Sequence, residues 1–456
     1  MSKQRLFDLI DKKRADFEDI SDFVFDHPEV CFQEHESSKY QREYMEKQGF
    51  RITTPVGGMD TAFIAEYGEG RPVIAILGEN DALTNQSQVA DHVGPLPVEK
   101  GANGHACAHN LLGTGSMEAV CALKTYMQEN DIKGTIRYYA CPAEEGGGGK
   151  VFLAKAGAFD GLDIALCWHP SDDNTLDNTM LACVSFDLTF HGVASHAAGA
   201  PWEGRSALDA IELMNVGVNF LREHVTPDTR IHYAYLDAGG SAPNVVQPYA
   251  KIRYCVRAAK ADYMEKVYAR VIDIAKGACL MTGTTMEEPY VYSAFKDLLK
   301  NRVLDELLLK NLDEQIRNND WTQEDYDYAA QFVPYFTKPD AECPLDLTIN
   351  WDLNKPARGS SGTGDVSYCA PFSQFRITAC SIGTPGHSWG ITTQGKSPLA
   401  HKGMHMAAKT LAASVYDLWE NPALIEEAQE IFVRNGGGKP YHTMIPDSLK
   451  PGDHKA

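Results

Sequence analysis

The sequence predicts an α/β protein built on a mixed, largely parallel sheet, with a smaller α+β unit inserted into it. Apolar runs of strand length recur at Val73 to Leu77, Ile136 to Ala140, Asp163 to Trp168 and Ile377 to Ile382, separated by helical stretches such as Leu111 to Met127. Continuously apolar strands that alternate with helices are those of a parallel sheet covered on its faces. Between Leu181 and Tyr292 the texture changes, and beyond it the first pattern returns.

The chain opens on a helical stretch from Lys3 to Phe25, breaks at His27-Pro28, and resumes as a helix from Glu34 to Gln48 stopped by Gly49. The apolar strands follow. In the middle segment Val184, Phe186, Leu188 and Phe190 alternate with Ser185, Asp187, Thr189 and His191, the period of a sheet with one buried face. A helix carries Ala210, Leu213, Met214, Gly217, Val218 and Leu221 on one stripe, followed by strands at Ile231 to Leu236 and Lys251 to Val256 and a helix from Asp262 to Met281. The resulting division is a catalytic unit of residues 1–181 and 293–456, interrupted by an inserted unit of residues 182–292. A helix around Met404 to Trp419 belongs to the first unit, whereas Asn318 to Lys355, rich in Trp, Tyr, Pro and acids, yields no assignment.

At 456 residues, 43% hydrophobic and 23% charged, the chain has the composition of an ordinary globular protein and the length for more than one core. Met1 to Arg14 hold neither a signal-type apolar core nor a membrane span, and eleven irregularly spaced cysteines suit reduced thiols, so a cytoplasmic location is expected. A net charge of -20 repels phosphate backbones and anionic lipid heads, which argues against nucleic-acid and membrane partners. An acidic substrate would need local arginines to hold it against the same field.

Active sites of such sheets lie beyond the carboxyl ends of the strands. There the sequence places Glu79 and Asp81 after the first apolar run, Glu144 and Glu145 after the second, His169 after the third and His387 beyond the last. The loop before the Leu111 helix adds His105, Cys107 and His109. Each residue alone has an ordinary reading, since a cysteine is usually a buried small hydrophobe and a histidine a satisfied polar group. Two adjacent carboxylates at a strand end are nevertheless costly without a cation nearby, and the convergence suits a two-metal hydrolase site.

The runs Gly78-Glu79-Asn80-Asp81-Ala82-Leu83, Gly104-His105-Ala106-Cys107-Ala108-His109-Asn110, Pro142-Ala143-Glu144-Glu145-Gly146-Gly147, Trp168-His169-Pro170 and Gly383-Thr384-Pro385-Gly386-His387-Ser388-Trp389 resemble the metallo-aminoacylase and carboxypeptidase G superfamily. The likeness extends from His27-Pro28-Glu29 to Pro440-Tyr441 and is nearest to the branch of aminobenzoyl-glutamate hydrolases and amino-acid-conjugate amidohydrolases. It implies a phosphorylase/hydrolase-like catalytic domain and a ferredoxin-like lid that also dimerises. It further implies that Cys107, as a bridging thiolate, and His109, Glu145, His169 and His387 hold two divalent ions, Zn2+ or Mn2+, with Glu144 as general base. Where the carboxypeptidase branch has His-x-Asp, this chain has Leu77-Gly78-Glu79, so Glu79 and Asp81 are expected to support the ligands rather than bind metal. Asn80 and Ala108 stand where tyrosine and glycine are common in the nearest branch.

The run His191-Gly192-Val193-Ala194-Ser195-His196-Ala197 resembles the superfamily's lid motif, which implies that His196 reaches the partner subunit's site to stabilise an oxyanion. Asn244 and Arg257 match residues for the substrate α-carboxylate. Arg257 suits that role independently, because it alternates with Ile252, Tyr254 and Val256 and so shares the strand's open face with Arg253. The expected activity is hydrolysis of an N-acyl or N-aroyl amino acid or a dipeptide by metal-activated water, in a homodimer, with the need for a related second subunit left open. The alternatives are a thiol hydrolase using Cys107 and His109, or a non-catalytic binding protein on the same fold. Nucleotide binding at Gly146 to Gly149 is disfavoured, since that run follows two carboxylates and lacks a G-x-G-x-x-G pattern.

Overall fold

A computed structural model of the chain describes residues 2–318, 321–354 and 359–453. The main sheet is formed by β1 (Arg51–Thr53), β2 (Phe63–Glu69), β3 (Val73–Gly78), β4 (Gly134–Ala140), β5 (Ile164–Ser171) and β6 (Asn174–Leu176). The chain then builds a second sheet from β7 (Ala182–His191), β8 (Arg230–Asp237), β9 (Tyr249–Ala258), β10 (Thr285–Met286) and β11 (Tyr290–Phe295), and returns to the first with β12 (Ile349–Asn350) and β13 (Phe372–Thr378).

The main sheet has the order β1-β2-β4-β3-β5-β13-β6-β12. Its centre, β4-β3-β5-β13, is parallel, with antiparallel pairings towards the edges at β1-β2, β2-β4 and β13-β6. The parallel strands therefore end on one rim. Ile74 to Leu77 and Ile164 to Trp168 are buried, and the helices His109–Asn130 and Pro398–Glu420 pack across this centre. In the second sheet the order β10-β7-β9-β8 leaves β8 at an edge, and the helices Ala207–Leu221 and Ala261–Thr282 cover one face. The sequence of elements, β-α-β-β-α-β, is the ferredoxin-like arrangement that the resemblance implies.

The structure departs from the sequence expectations in three places. The stretch Lys3 to Phe25 forms two helices, Lys3–Asp11 and Arg14–Asp26. The last central strand is Phe372–Thr378 rather than Ile377 to Ile382, because Ser373 and Gln374 are buried polar residues that interrupt its apolar signature and bond to Asp305 and Asp177. The unassigned segment holds the helix Gln323–Ala330, a short turn at Val333–Tyr335 and β12, while Asn319, Asp320 and Lys355 lie outside the described residues. Among the described residues, no helix is long and apolar enough to cross a membrane.

One close approach fixes the helix that leads away from the rim. A β-carbon on Gly113 would lie 2.1 Å from Asn80 Oδ1 and 2.5 Å from the Glu79 carbonyl oxygen, so only glycine lets this helix seat against the end of β3. Asn80 is itself fixed by a reciprocal amide pair with Gln41, at 3.0 and 2.8 Å. Replacing Gly113 by alanine should lower stability by about 1–3 kcal/mol through overpacking, measured by urea denaturation. An unchanged midpoint would show that the helix shifts without cost.

Candidate active site

Four loops and one strand deliver the candidate side chains. Glu79 and Asp81 follow β3, Glu144 and Glu145 follow β4, and His169 lies near the end of β5. Cys107 and His109 flank Ala108, whose φ of 56° starts the following helix from a left-handed turn. The same backbone conformation occurs at Ala143 and at His387, with φ of 56° and 54°. Left-handed non-glycine residues cost energy, and here all three are at or beside expected site residues. At Ala108 the glycine of the nearest branch would relieve that cost. The His387 loop is tied to the Cys107 loop where the His387 amide donates to the Ala106 carbonyl at 3.0 Å.

Cys107 belongs to two groups of potential ligands whose donor atoms lie within 4.8 Å of one another, one with His109 and His169 and one with Glu145 and His387. The histidine tautomers suit coordination. His109 Nδ1–H donates to Asp81 at 2.9 Å and His169 Nδ1–H to the Pro170 carbonyl at 2.7 Å, which leaves both Nε2 lone pairs facing the cluster. His169 Nε2 is 3.4 Å from Cys107 Sγ. His109 Nε2 and Glu145 Oε1 are buried without a hydrogen-bond partner, although the first is 3.2 Å from Glu79 and the second 3.2 Å from His387 Nε2. Orphaned donor atoms in a thiol, imidazole and carboxylate set fit divalent ions.

The electrostatics agree with this arrangement. Burial opposes ionisation of Cys107, but the imidazoles of His109 and His169 hold its thiol well below the usual range. Burial and the neighbouring Glu79 push the Glu144 carboxyl up to about 8. Glu79 would be raised by burial too, yet Lys150 and the two histidines keep it below its ordinary value. A third group of nearby donors, Glu79, His109 and Glu144, is less suited to an ion because Lys150 already engages Glu79 in a buried ion pair. Asp81 accepts from both His109 and the Glu145 amide, the latter at 2.7 Å, and so ties two of the loops together.

Glu79, Glu144, Glu145, His169 and His387 line a cavity of about 390 Å³, and Arg257 enters it from β9 with Nη1 donating to Ser360 Oγ at 2.9 Å. A larger cavity of about 650 Å³, beside Tyr441, contains none of these side chains. His196 and Asn244 do not line the catalytic cavity of their own chain. They are exposed on neighbouring lid loops, joined where the Ala197 amide donates to the Asn244 carbonyl at 3.0 Å. His196 Nδ1 accepts from the amides of Ala198 and Gly199 at 3.2 and 3.1 Å, so the neutral ring carries its proton on Nε2. His105 takes no part, being buried with Nε2 donating to the Val24 carbonyl at 3.0 Å.

Sequence reasoning missed Lys150, Ser360 and Arg376. Lys150 carries the one available hint, a lone cation in the otherwise apolar run Val151-Phe152-Leu153-Ala154 that follows the glycines. The structure leaves it only 1% exposed.

Residues 183–280 match the family model of the M20 peptidase dimerisation domain. The chain is 38% identical to a subunit of the p-aminobenzoyl-glutamate hydrolase of Escherichia coli, over 97% of both chains. It is 27% identical to a mouse Xaa-Arg dipeptidase, over 94% of this chain and 92% of that one. A dinuclear metal-binding peptidase of the M20 family from Bacillus subtilis shares the fold, with a TM-score of 0.58 over 92% of this chain and 100% of that one at 18% identity. The full-length match to the Escherichia coli protein and the matched dimerisation domain show that this chain belongs to the M20 family of metal-dependent hydrolases, in the branch of the aminobenzoyl-glutamate hydrolases.

Proposed function

We propose that the protein hydrolyses the amide bond of an N-acyl or N-aroyl amino acid, with conjugates like aminobenzoyl-glutamate in its range, or of a dipeptide. The observation that carries this reading is the sharing of Cys107 between two ligand groups. On this reading Cys107, His109, His169, Glu145 and His387 would hold two divalent ions, with Cys107 as the thiolate common to the two ligand groups. Thiolate favours zinc, while the imidazoles and carboxylate also admit manganese. Divalent ions bound there would supply the positive charge that polarises the scissile carbonyl and acidifies water.

The chain's own groups do the rest. Glu144, on the cavity wall beside Glu145, takes the proton of the attacking water and delivers it to the leaving nitrogen, giving a carboxylate and a free amino acid. Arg257 pairs with the α-carboxylate through its planar fork, and Asn244, which does not line its own chain's cavity, adds a polar contact from the lid of a second copy. Glu79 and Asp81 hold ligands in place, Asp81 by fixing the His109 tautomer.

The division into residues 1–181 with 293–456 and an inserted 182–292 follows from the same reading, as does assembly into a homodimer. Supporting the dimer, Leu213, Val216 and Phe220 are exposed on one lid helix, and Tyr233, Tyr235 and Leu236 are exposed on the edge strand β8. The exposed position of His196, with Nε2–H free of the local amides, suits oxyanion stabilisation in a second copy's cavity. All eleven cysteines are free, as a reducing compartment such as the cytoplasm would keep them.

The two glutamates and the cysteine separate by metal content. Glu144→Gln should retain both metals while losing at least about a hundredfold in kcat, because it removes a proton acceptor and preserves shape. Cys107→Ala should lose metal first. Metal analysis beside activity checks both: a Glu144→Gln protein that loses metal in step with activity would make Glu144 a ligand, and a fully metallated, active Cys107→Ala protein would remove the bridging thiolate. Activity that ignores chelators would favour the thiol-hydrolase alternative.

The shared-site geometry is tested by co-expressing Glu144→Gln and His196→Ala chains. Each homodimer should be nearly inactive, whereas a mixed dimer has one site with both groups intact, so random assembly should restore roughly a quarter of wild-type activity. Verified mixed dimers without recovery would place His196 in the service of its own chain.

A further inference from the structure

The catalytic cavity holds a second arginine that the proposed reaction does not use. Arg376 on β13 is paired in register with His169 on β5, which sets the two side chains next to each other on one face of the sheet at its ligand-bearing end. It lines the same cavity as Arg257, which arrives from the second sheet. Its surroundings leave it incompletely matched. Its ion-pair partner Asp177, on the wall of the same cavity, lies 3.5 Å from Arg376 Nε through an Oδ2 that also accepts from Gln374 Nε2 at 3.0 Å. That Nε is buried with no hydrogen-bond partner.

A guanidinium that faces a substrate cavity and is held only loosely, by one acid already engaged elsewhere, can take up a further anion, and its planar fork fits a carboxylate. If Arg257 takes the α-carboxylate, an amino acid with a neutral side chain offers Arg376 nothing. An acidic side chain offers a second carboxylate. A chain with a net charge of -20 also needs such local cations to admit a dianion at all.

We infer that Arg376 binds the side-chain carboxylate of the amino-acid moiety and gives the site its preference for N-acyl acidic amino acids over their uncharged counterparts. This rests on the amidohydrolase reading above. Arg376 is a specificity-determining residue on this view, and Arg257 reads what all substrates share.

The experiment uses metal-loaded full-length protein and the near-isosteric pair N-benzoyl-glutamate and N-benzoyl-glutamine, with kcat/KM and metal content measured for each variant. Wild type should prefer the glutamate conjugate. Arg376→Gln should reduce the glutamate-to-glutamine ratio by about tenfold or more with metal content unchanged, the loss expected for one charge-assisted contact. Arg376→Lys, which keeps the charge and loses the fork, should retain part of the preference. Arg257→Ala should lower both substrates and leave the ratio nearly unmoved. A ratio unaffected by Arg376→Gln, or a parallel fall on both substrates accompanied by metal loss, overturns the inference and leaves Arg376 as a neighbour that positions His169. Wild-type protein that hydrolyses neither conjugate, nor any other N-acyl amino acid or dipeptide, would overturn the amidohydrolase reading and this inference with it.

Discussion

Glu79, Asp81, Glu144, Glu145 and the Cys107 thiol share one rim of the main sheet, and Lys150 is the buried lysine placed among them. Two like charges about 4 Å apart repel by about 4 kcal/mol at the effective dielectric of a partly buried site. The fold does not avoid that cost by spacing the groups out. It draws them together through the parallel β4-β3-β5-β13 core, whose strands all finish on the same side. Such a cluster is comfortable only with positive charge among it. Lys150 neutralises Glu79, Asp81 accepts from His109, and Cys107 and Glu145 enter the two Cys107-centred sets that suit divalent ions.

Much of the local backbone follows from serving that cluster. The left-handed residues Ala108, Ala143 and His387 turn three loops sharply enough to aim neighbouring side chains inward. Asp81 bonds two of those loops, one through the His109 ring and one through the Glu145 amide. Glu34 adds a further brace, its buried carboxyl accepting from the Ala143 amide at 2.7 Å. These contacts fix the candidate ligand side chains within the fold itself, which would lower the cost of assembling a metal site.

The strands β3, β4 and β5 were legible because largely apolar runs, despite Arg137 in β4, mark buried parallel strands, and the groups just past them were then legible as a rim. β13 was not, because Gln374 and Arg376 break its pattern, and the polarity that hid the strand comes from residues facing Asp177 and the cavity. Lys150 was passed over for a different reason: beside the hint of an apolar run after it, a lysine after four glycines looks solvated, and the folded arrangement is what shows it buried with Glu79. The His196 and Asn244 loops are the opposite case, prominent by resemblance yet absent from the lining of their own chain's cavity.

On the proposed reading, the chemistry turns on Cys107 serving as a thiolate common to two ions. Cobalt titration of the metal-free protein reads it directly, since a cysteine thiolate bound to cobalt gives a charge-transfer band in the near ultraviolet. A shared thiolate predicts a band that develops over two equivalents of cobalt per chain and is abolished by Cys107→Ala. Saturation at one equivalent, or a band that survives the loss of Cys107, would contradict it.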